Sequence, residues 1–266
     1  MARNRSFVKL EGTLDGLTFY QQDGQSFVKT KGGVSKKRIA TDPAFRRTRE
    51  NMQEFGGAAK AGKAMRTAFS GIVKLMADTY FTARLTGLMK RINRNGLGPR
   101  GQRIIDVVAN GELLEGVEFN LDAPMSQQFF APYAPPAWNA NRDIASWTVP
   151  DFDTDSFVRA PEGATHFRLV LAAGLVSSYD WVNALKSYEP IDEDENGLGG
   201  VAFSGDIPLT GMVGSDTILS VDLGLGAAVP PATAAIAAVG IVFYQETNGS
   251  LYELAQGNAM RVAVIA

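Results

Sequence analysis

The sequence predicts an α+β protein: an N-terminal β-hairpin and amphipathic helices, followed by a C-terminal all-β sandwich of immunoglobulin or fibronectin-like build. Three observations carry that prediction. Residues 41–94 hold the one long stretch with a sustained helical period. Runs of aromatic and β-branched residues, punctuated by turn dipeptides, flank it on both sides. Charge divides along the chain: residues 1–110 hold 21 Lys and Arg against 8 Asp and Glu, and residues 111–266 hold 5 against 20. The first part is therefore +13 and the second −15, summing to the net −2 of the 266 residues. The expected divisions are a hairpin arm and basic linker over 1–40, a basic helical region over 41–110, a connecting segment over 111–141 and an acidic sandwich domain over 142–266.

In the arm, Ser6-Phe7-Val8-Lys9 echoes Ser26-Phe27-Val28-Lys29, and Leu17-Thr18-Phe19-Tyr20 leads into the turn dipeptide Asp23-Gly24. A lone hairpin is marginal in water, so this one needs something to pack on. A basic linker, 31–38, follows. Asp42-Pro43 is a helix start: Asp accepts from free first-turn amides, and Pro lacks only an N–H that had no partner there. Phe45, Met52, Phe55 and Ala59 share one helical face. Gly56, Gly57 and Gly62 predict a break or a close helix approach. Met65, Phe69, Ile72, Met76 and Tyr80 continue the stripe, then Phe81, Leu85, Leu88 and Ile92 on a rotated face. Asn95-Gly96 ends it. Lys60, Lys63, Arg66, Lys74, Arg84, Lys90, Arg91 and Arg94 occupy the positions between, giving an apolar stripe backed by a basic face.

Beyond the helices, Gly96-Leu97-Gly98-Pro99-Arg100-Gly101 matches G-x-G-x-x-G by letter. A helix precedes it instead of a strand and Pro99 interrupts it, so the pattern argues against a dinucleotide site. Residues 102–109 read as a short helix and 113–121 as a strand. The sandwich strands are expected at 143–149, 165–172, 217–223, 237–245, 251–255 and 260–265, with Asn248-Gly249 as a type I′ hairpin turn. The last apolar strand, with Val262 and Val264, requires a partner in its own sheet or in another chain.

The absence of Cys excludes disulfides, thiolate metal sites, iron–sulfur clusters and thiol nucleophiles, and a single His excludes paired-His metal sites. The opening Met-Ala-Arg-Asn-Arg-Ser has charge without an apolar run behind it and does not read as a signal peptide. No apolar run reaches membrane-spanning length. Together these point to a cytoplasmic protein, retained or released as part of an assembly.

Two acidic spacings resemble calcium loops. Asp151, Asp153 and Asp155 alternate, with Glu162 twelfth, but Ser156 stands where the sharp turn wants Gly. Asp192, Asp194 and Asn196 precede Gly197, but Phe203 holds the twelfth position. Both read more simply as hydrophilic loops, with Ca²⁺ the only cofactor to consider. His166 is expected on the face of a strand opposite Phe167, Leu169 and Leu171, and no G-x-S-x-G accompanies it to make a hydrolase triad. Trp138, Trp147 and Trp181 could form a binding platform, although sandwich cores routinely bury Trp.

The run Gly12-Thr13-Leu14-Asp15-Gly16-Leu17-Thr18-Phe19-Tyr20, then Gly24 and Val28-Lys29-Thr30-Lys31-Gly32-Gly33, resembles the start of a family of uncharacterised proteins from Bacteroidota. Asp42-Pro43-Ala44-Phe45, Arg49-Glu50-Asn51, Phe55-Gly56 and Pro161-Glu162-Gly163-Ala164-Thr165-His166-Phe167 extend the similarity. The resemblance implies a bacterial source and a repeated β–α–β layout, and no activity. The function expected from the residues is a non-enzymatic structural protein that assembles head to tail into a filament, tube or other homopolymer. Its interface is expected at Phe7, Phe19, Tyr20, Phe27, Lys36, Lys37, Arg38, Arg46, Arg47, Val262 and Val264. The alternatives are a nucleic-acid-binding protein using the basic half, and a calcium- or carbohydrate-binding sandwich module.

Overall fold

The structure, a computed structural model, describes residues 2–3, 9–30 and 32–266. The chain divides into two compact units, Met1–Arg49 and Glu50–Ala266.

The first unit is a four-stranded antiparallel sheet followed by a short helix. Its strands are β1 (Ala2–Arg3), β2 (Gly12–Leu14), β3 (Leu17–Gln22) and β4 (Gln25–Thr30), in the order β1-β4-β3-β2. Two tight turns make it. Asp23-Gly24 has φ of 51° and 72°, as a type I′ hairpin requires, and Asp15-Gly16 repeats the device at 46° and 79°. The basic linker is not extended throughout: Lys36–Thr41 form α1, capped by Ser35, whose hydroxyl accepts from the Arg38 N–H at 3.2 Å. Asp42 accepts from the Ala44 N–H at 2.9 Å and starts a 3-10 turn over Pro43–Phe45. That turn runs into α2 (Arg46–Ala68).

The second unit takes in most of α2, then α3 (Ser70–Met76) and α4 (Phe81–Asn95). After α5 (Met125–Gln128) come β5 (Ala137–Trp138), β6 (Ile144–Val149), α6 (Thr154–Phe157), β7 (His166–Ser177), β8 (Tyr179–Val182) and β9 (Ser187–Pro190). The last strands are β10 (Gly199–Phe203), β11 (Ile207–Pro208), β12 (Thr217–Asp222), β13 (Thr233–Thr247), β14 (Ser250–Glu253) and β15 (Ala259–Ile265). Strands β7 and β13 pair antiparallel from His166↔Tyr244 to Thr233↔Ser177 and form the centre of a six-stranded sheet.

Each face of that sheet has its own core. Val170, Ala172, Val176, Ala234, Ile236, Ala238 and Val242 meet α2, α3 and α4 through Met65, Phe69, Ile72, Leu85, Met89 and Ile92. The alternate residues, Phe167, Leu169, Leu171, Ala173, Ala237, Val239, Ile241 and Phe243, meet the smaller sheet β12-β6-β5 through Trp147, Val149, Leu219 and Val221. The pairing gives a mixed α+β protein with a three-layered second unit, helices on one face of the sheet and strands on the other. It gives no immunoglobulin strand order.

The helical region follows the expected stripe at Met65, Phe69, Ile72, Met76, Phe81, Leu85 and Ile92 and departs from it at other positions. Helix α2 runs unbroken through Gly56, Gly57 and Gly62. Its buried face is made of Gly57, Ala58, Ala61, Gly62, Ala64, Met65 and Ala68, while Met52 and Phe55 are 60% and 58% exposed. Small residues line it because backbone and sheet come close: a Cβ on Gly199 would fall 1.9 Å from the Ala68 carbonyl oxygen, and one on Gly174 would fall 2.7 Å from the Ala68 Cβ. Tyr80, expected in the stripe, is exposed.

Residues 102–109 are turns rather than a helix, and Ile105 bridges to Tyr179. The strand expected over 113–121 is a 3-10 turn at Gly111–Leu114 and an irregular segment whose Gly116 and Phe119 amides donate to the Val262 and Met260 carbonyls at 2.9 Å. Strand β15 therefore finds partners within its own chain on both edges, β13 on one and this segment on the other.

Candidate functional site

In the first unit, the alternation of β3 and β4 places Leu17, Phe19 and Val28 on one face, continued by Leu14 of β2. The other face carries Tyr20 stacked on Phe27 at 5.6 Å between ring centroids, with the Lys29 ammonium 5.1 Å over the Tyr20 ring. Not one described residue of this unit is buried, and Leu14 is 66% exposed. Phe19, Tyr20 and Phe27 are half-buried at most. Phe7 lies outside the described residues. Lys36, Lys37, Arg38, Arg46 and Arg47 are all exposed. Arg38 pairs with Asp42 at 3.0 Å, and its guanidinium lies 5.8 Å from the Phe45 ring centroid. Arg49 is turned inward, donating to the carbonyls of Ile39 and Asp42 at 2.7 and 2.9 Å. Asp42 is held below the usual carboxylate range, chiefly by the Ala44 amide and then by Arg38.

In the second unit, Val262 is fully buried and Val264 half-buried, both paired with β13. Val262 is thus a core residue within its own chain.

The strongest concentration of charge in this unit surrounds Glu54 of α2, whose side chain is 1% exposed. Its carboxylate accepts from the Gly101 N–H at 2.8 Å, from Arg103 Nε at 2.8 Å and Nη2 at 3.0 Å, and from the Lys90 ammonium. Burial alone pushes this carboxyl up; the bonds from Arg103, Lys90 and Gly101 outweigh it and hold it at about 2. The loop that carries Gly101 and Arg103 is pinned from two sides. Asn93 Nδ2 donates to the Arg103 carbonyl at 2.7 Å, and the Tyr188 hydroxyl donates to the same oxygen at 2.9 Å. Burial pushes Tyr188 up to about 12, so it stays a donor. Gly57 lets the ring in: a Cβ there would stand 2.6 Å from Tyr188 Cδ2.

Above this clasp lies a cleft of about 430 Å³. Glu54, Lys90 and Arg103 form its floor, and Asn51, Arg91, Arg94 and Arg100 its walls. Lys90, Arg91 and Arg94 belong to the basic face read from the helical period; Glu54, Arg100 and Arg103 were not singled out. The one signal near them was the glycine-rich letter pattern over 96–101. Its Gly101 amide is bonded to a protein carboxylate here.

The acidic loops are internally tied. Asp151 accepts from the Gly214 N–H at 2.8 Å, and Asp155 from the Gly211 N–H at 2.9 Å. Asp153 caps α6, accepting from the Asp155 N–H at 3.3 Å and the Ser156 hydroxyl at 2.6 Å. Glu162 stands in the turn before β7 and joins none of these bonds. Asp192 accepts from the Thr233 hydroxyl at 2.8 Å, and Asn196 links the Ser177 amide to the Tyr179 hydroxyl; Asp194 is exposed. Among the described residues no three His, Asp or Glu converge as a metal-ligand group. His166 Nδ1 sits 3.0 Å from the Thr165 hydroxyl. The three tryptophans do not share a surface: Trp147 is in the core, Trp138 packs against that core, and Trp181 stacks edge-on with Tyr188. No described helix is long and apolar enough to cross a membrane.

Comparison with protein-family models, with curated proteins and with solved structures found no match in any of the three.

Proposed function

We propose that this is a non-enzymatic structural protein that assembles into a homopolymer, with the N-terminal sheet of one copy docking on the acidic unit of the next. The observation that carries the reading is a separate compact unit with no buried residue among those described. A unit below about 50 residues, with no Cys to staple it, does not stabilise itself on so little burial. Apolar side chains on both faces give it surface to lose on docking, at about 25 cal/mol per Å².

Charge selects the partner. Residues 1–49 carry 11 Lys and Arg against 4 Asp and Glu, and residues 50–266 carry 15 against 24. The units are thus +7 and −9, attractive between copies and repulsive between like units, which favours a head-to-tail contact over a two-fold one. Strand addition at the edges of β1 or β2 would supply main-chain hydrogen bonds.

The test is sedimentation and negative-stain electron microscopy at low and high salt. Ordered polymers that loosen with salt are expected. Phe19→Asp combined with Val28→Asp is expected to leave single subunits at every salt concentration. A wild-type protein that remains a monomer at high concentration and low salt overturns the reading.

The second reading is nucleic-acid binding through the exposed Lys36, Lys37 and Arg38 of α1, together with Arg46 and Arg47. It predicts affinity for DNA or RNA that falls steeply with salt. A flat titration at low salt removes it.

A further inference from the structure

We propose that the cleft above Glu54 binds a compact polyvalent phosphate anion without a base, of the pyrophosphate or triphosphate class. Five cationic side chains line the cleft against one carboxylate. That carboxylate is already committed: Glu54 consumes the Gly101 amide, the Arg103 fork and the Lys90 ammonium. The floor is thereby rigid, and the walls remain positive. Arg91 and Arg94, one helical turn apart on α4, make no side-chain hydrogen bond or ion pair among the described residues, and both are exposed. Arg100 has only a 3.7 Å approach to Glu50. Two guanidinium groups without a carboxylate partner, beside a third held only loosely by one, repel each other across the concavity, and an anion relieves that repulsion.

The chemistry narrows the ligand further. Planar guanidinium forks match phosphate oxygens in pairs and hold them more selectively than ammonium groups do. The cleft is of small-ligand size, far from the length of a duplex groove. No aromatic ring among the described residues lines it, so neither a nucleobase nor a single strand finds a stacking platform there. The glycine-rich loop does not cradle phosphate by its Gly101 amide, because Glu54 holds that donor.

Isothermal titration and thermal-shift measurements on the full chain, with pyrophosphate and tripolyphosphate at constant ionic strength, test the proposal. Saturable binding of one equivalent is expected, with a rise in Tm. The double variant Arg91→Ala/Arg94→Ala is expected to weaken binding at least tenfold. Its unliganded Tm should match wild type, since neither side chain is bonded to a described residue of the protein. Arg159→Ala, an exposed charge on another part of the unit, is expected to bind as wild type. Equal affinity in the double variant, or only unsaturable uptake, overturns the site. So does a synthetic peptide of residues 189–197, the acidic turn, binding where pyrophosphate fails to bind or displace it; that would assign the cleft to another copy of the chain.

Discussion

Strands β7 and β13 lose their apolar side chains to two cores, one under the helices and one under the smaller sheet. Strands β3 and β4, with comparable aromatic and β-branched content, leave theirs at a surface. Both regions are antiparallel sheet with well-formed turns, so hydrogen bonding does not separate them. What separates them is the second layer. The larger unit supplies its own on both faces; in the smaller unit no described residue is buried by one. A substitution in the two regions should therefore be read by different instruments, unfolding for one and assembly for the other.

The largest expected effect is at Glu54. Glu54→Ala leaves Arg103, Lys90 and the Gly101 amide without their shared acceptor, and losing one partner of a buried ion pair costs about 3–5 kcal/mol. Urea unfolding measures it; a loss under about 1 kcal/mol would mean that water replaces the carboxylate without difficulty. Next is Gly199→Ala, whose methyl would meet the Ala68 carbonyl oxygen. Separating helix and sheet there should cost about 3 kcal/mol by overpacking, against almost nothing for Gly205→Ala, where the added atom meets nothing within 4 Å.

Acid should act through the same clasp. The folded Glu54 pKa of about 2 lies below the ordinary value of 4.5, so the unfolded chain binds the extra proton between those limits. Its contribution, about 3 kcal/mol at most, is complete above pH 4.5 and falls away as pH drops through 2. Unfolding midpoints for wild type and Glu54→Gln across that window should converge as the medium becomes more acid. Parallel curves would count against the assignment. The smallest effect on unfolding is expected in the arm. Phe19→Asp with Val28→Asp should change the stability of residues 50–266 by less than about 0.5 kcal/mol, as for surface substitutions away from any core, while abolishing assembly. Calorimetry and sedimentation on the same sample separate the two readouts.

The turns and the long strands were legible in the sequence because their signals are local. Asp23-Gly24 and Asn248-Gly249 each specify a backbone conformation by residue type, and both adopt it, with φ of 51° and 72° in the first and 54° and 77° in the second. Strands β6, β7, β12, β13, β14 and β15 fell where alternation and turn residues placed them. Strands β8 and β9 did not stand out, because Tyr179–Val182 and Ser187–Pro190 mix polar with apolar residues and pair with each other in a small two-stranded sheet. The buried face of α2 was misread for a different reason. A hydrophobic stripe is sought among large residues, but a close approach selects Gly and Ala, which left Met52 and Phe55 as the conspicuous and wrong candidates. The Glu54 clasp joins residues 36 and 49 positions apart, and no local pattern announces such a partnership.

Those separations bear on the order in which the unit is built. The contacts of Glu54 with Lys90 and Arg103 close loops of fewer than fifty residues, whereas the pairing of His166 with Tyr244 joins strands across a segment that itself holds five more strands. Shorter closures cost less chain entropy before any contact rewards them. The helical half, drawn together by one buried carboxylate, is therefore expected to gain protection first and to serve as the template on which β7 and β13 meet. Pulse-labelling hydrogen exchange during refolding would register this as early protection in α2 and α4. Simultaneous protection of β13 would mean that the sheet needs no template.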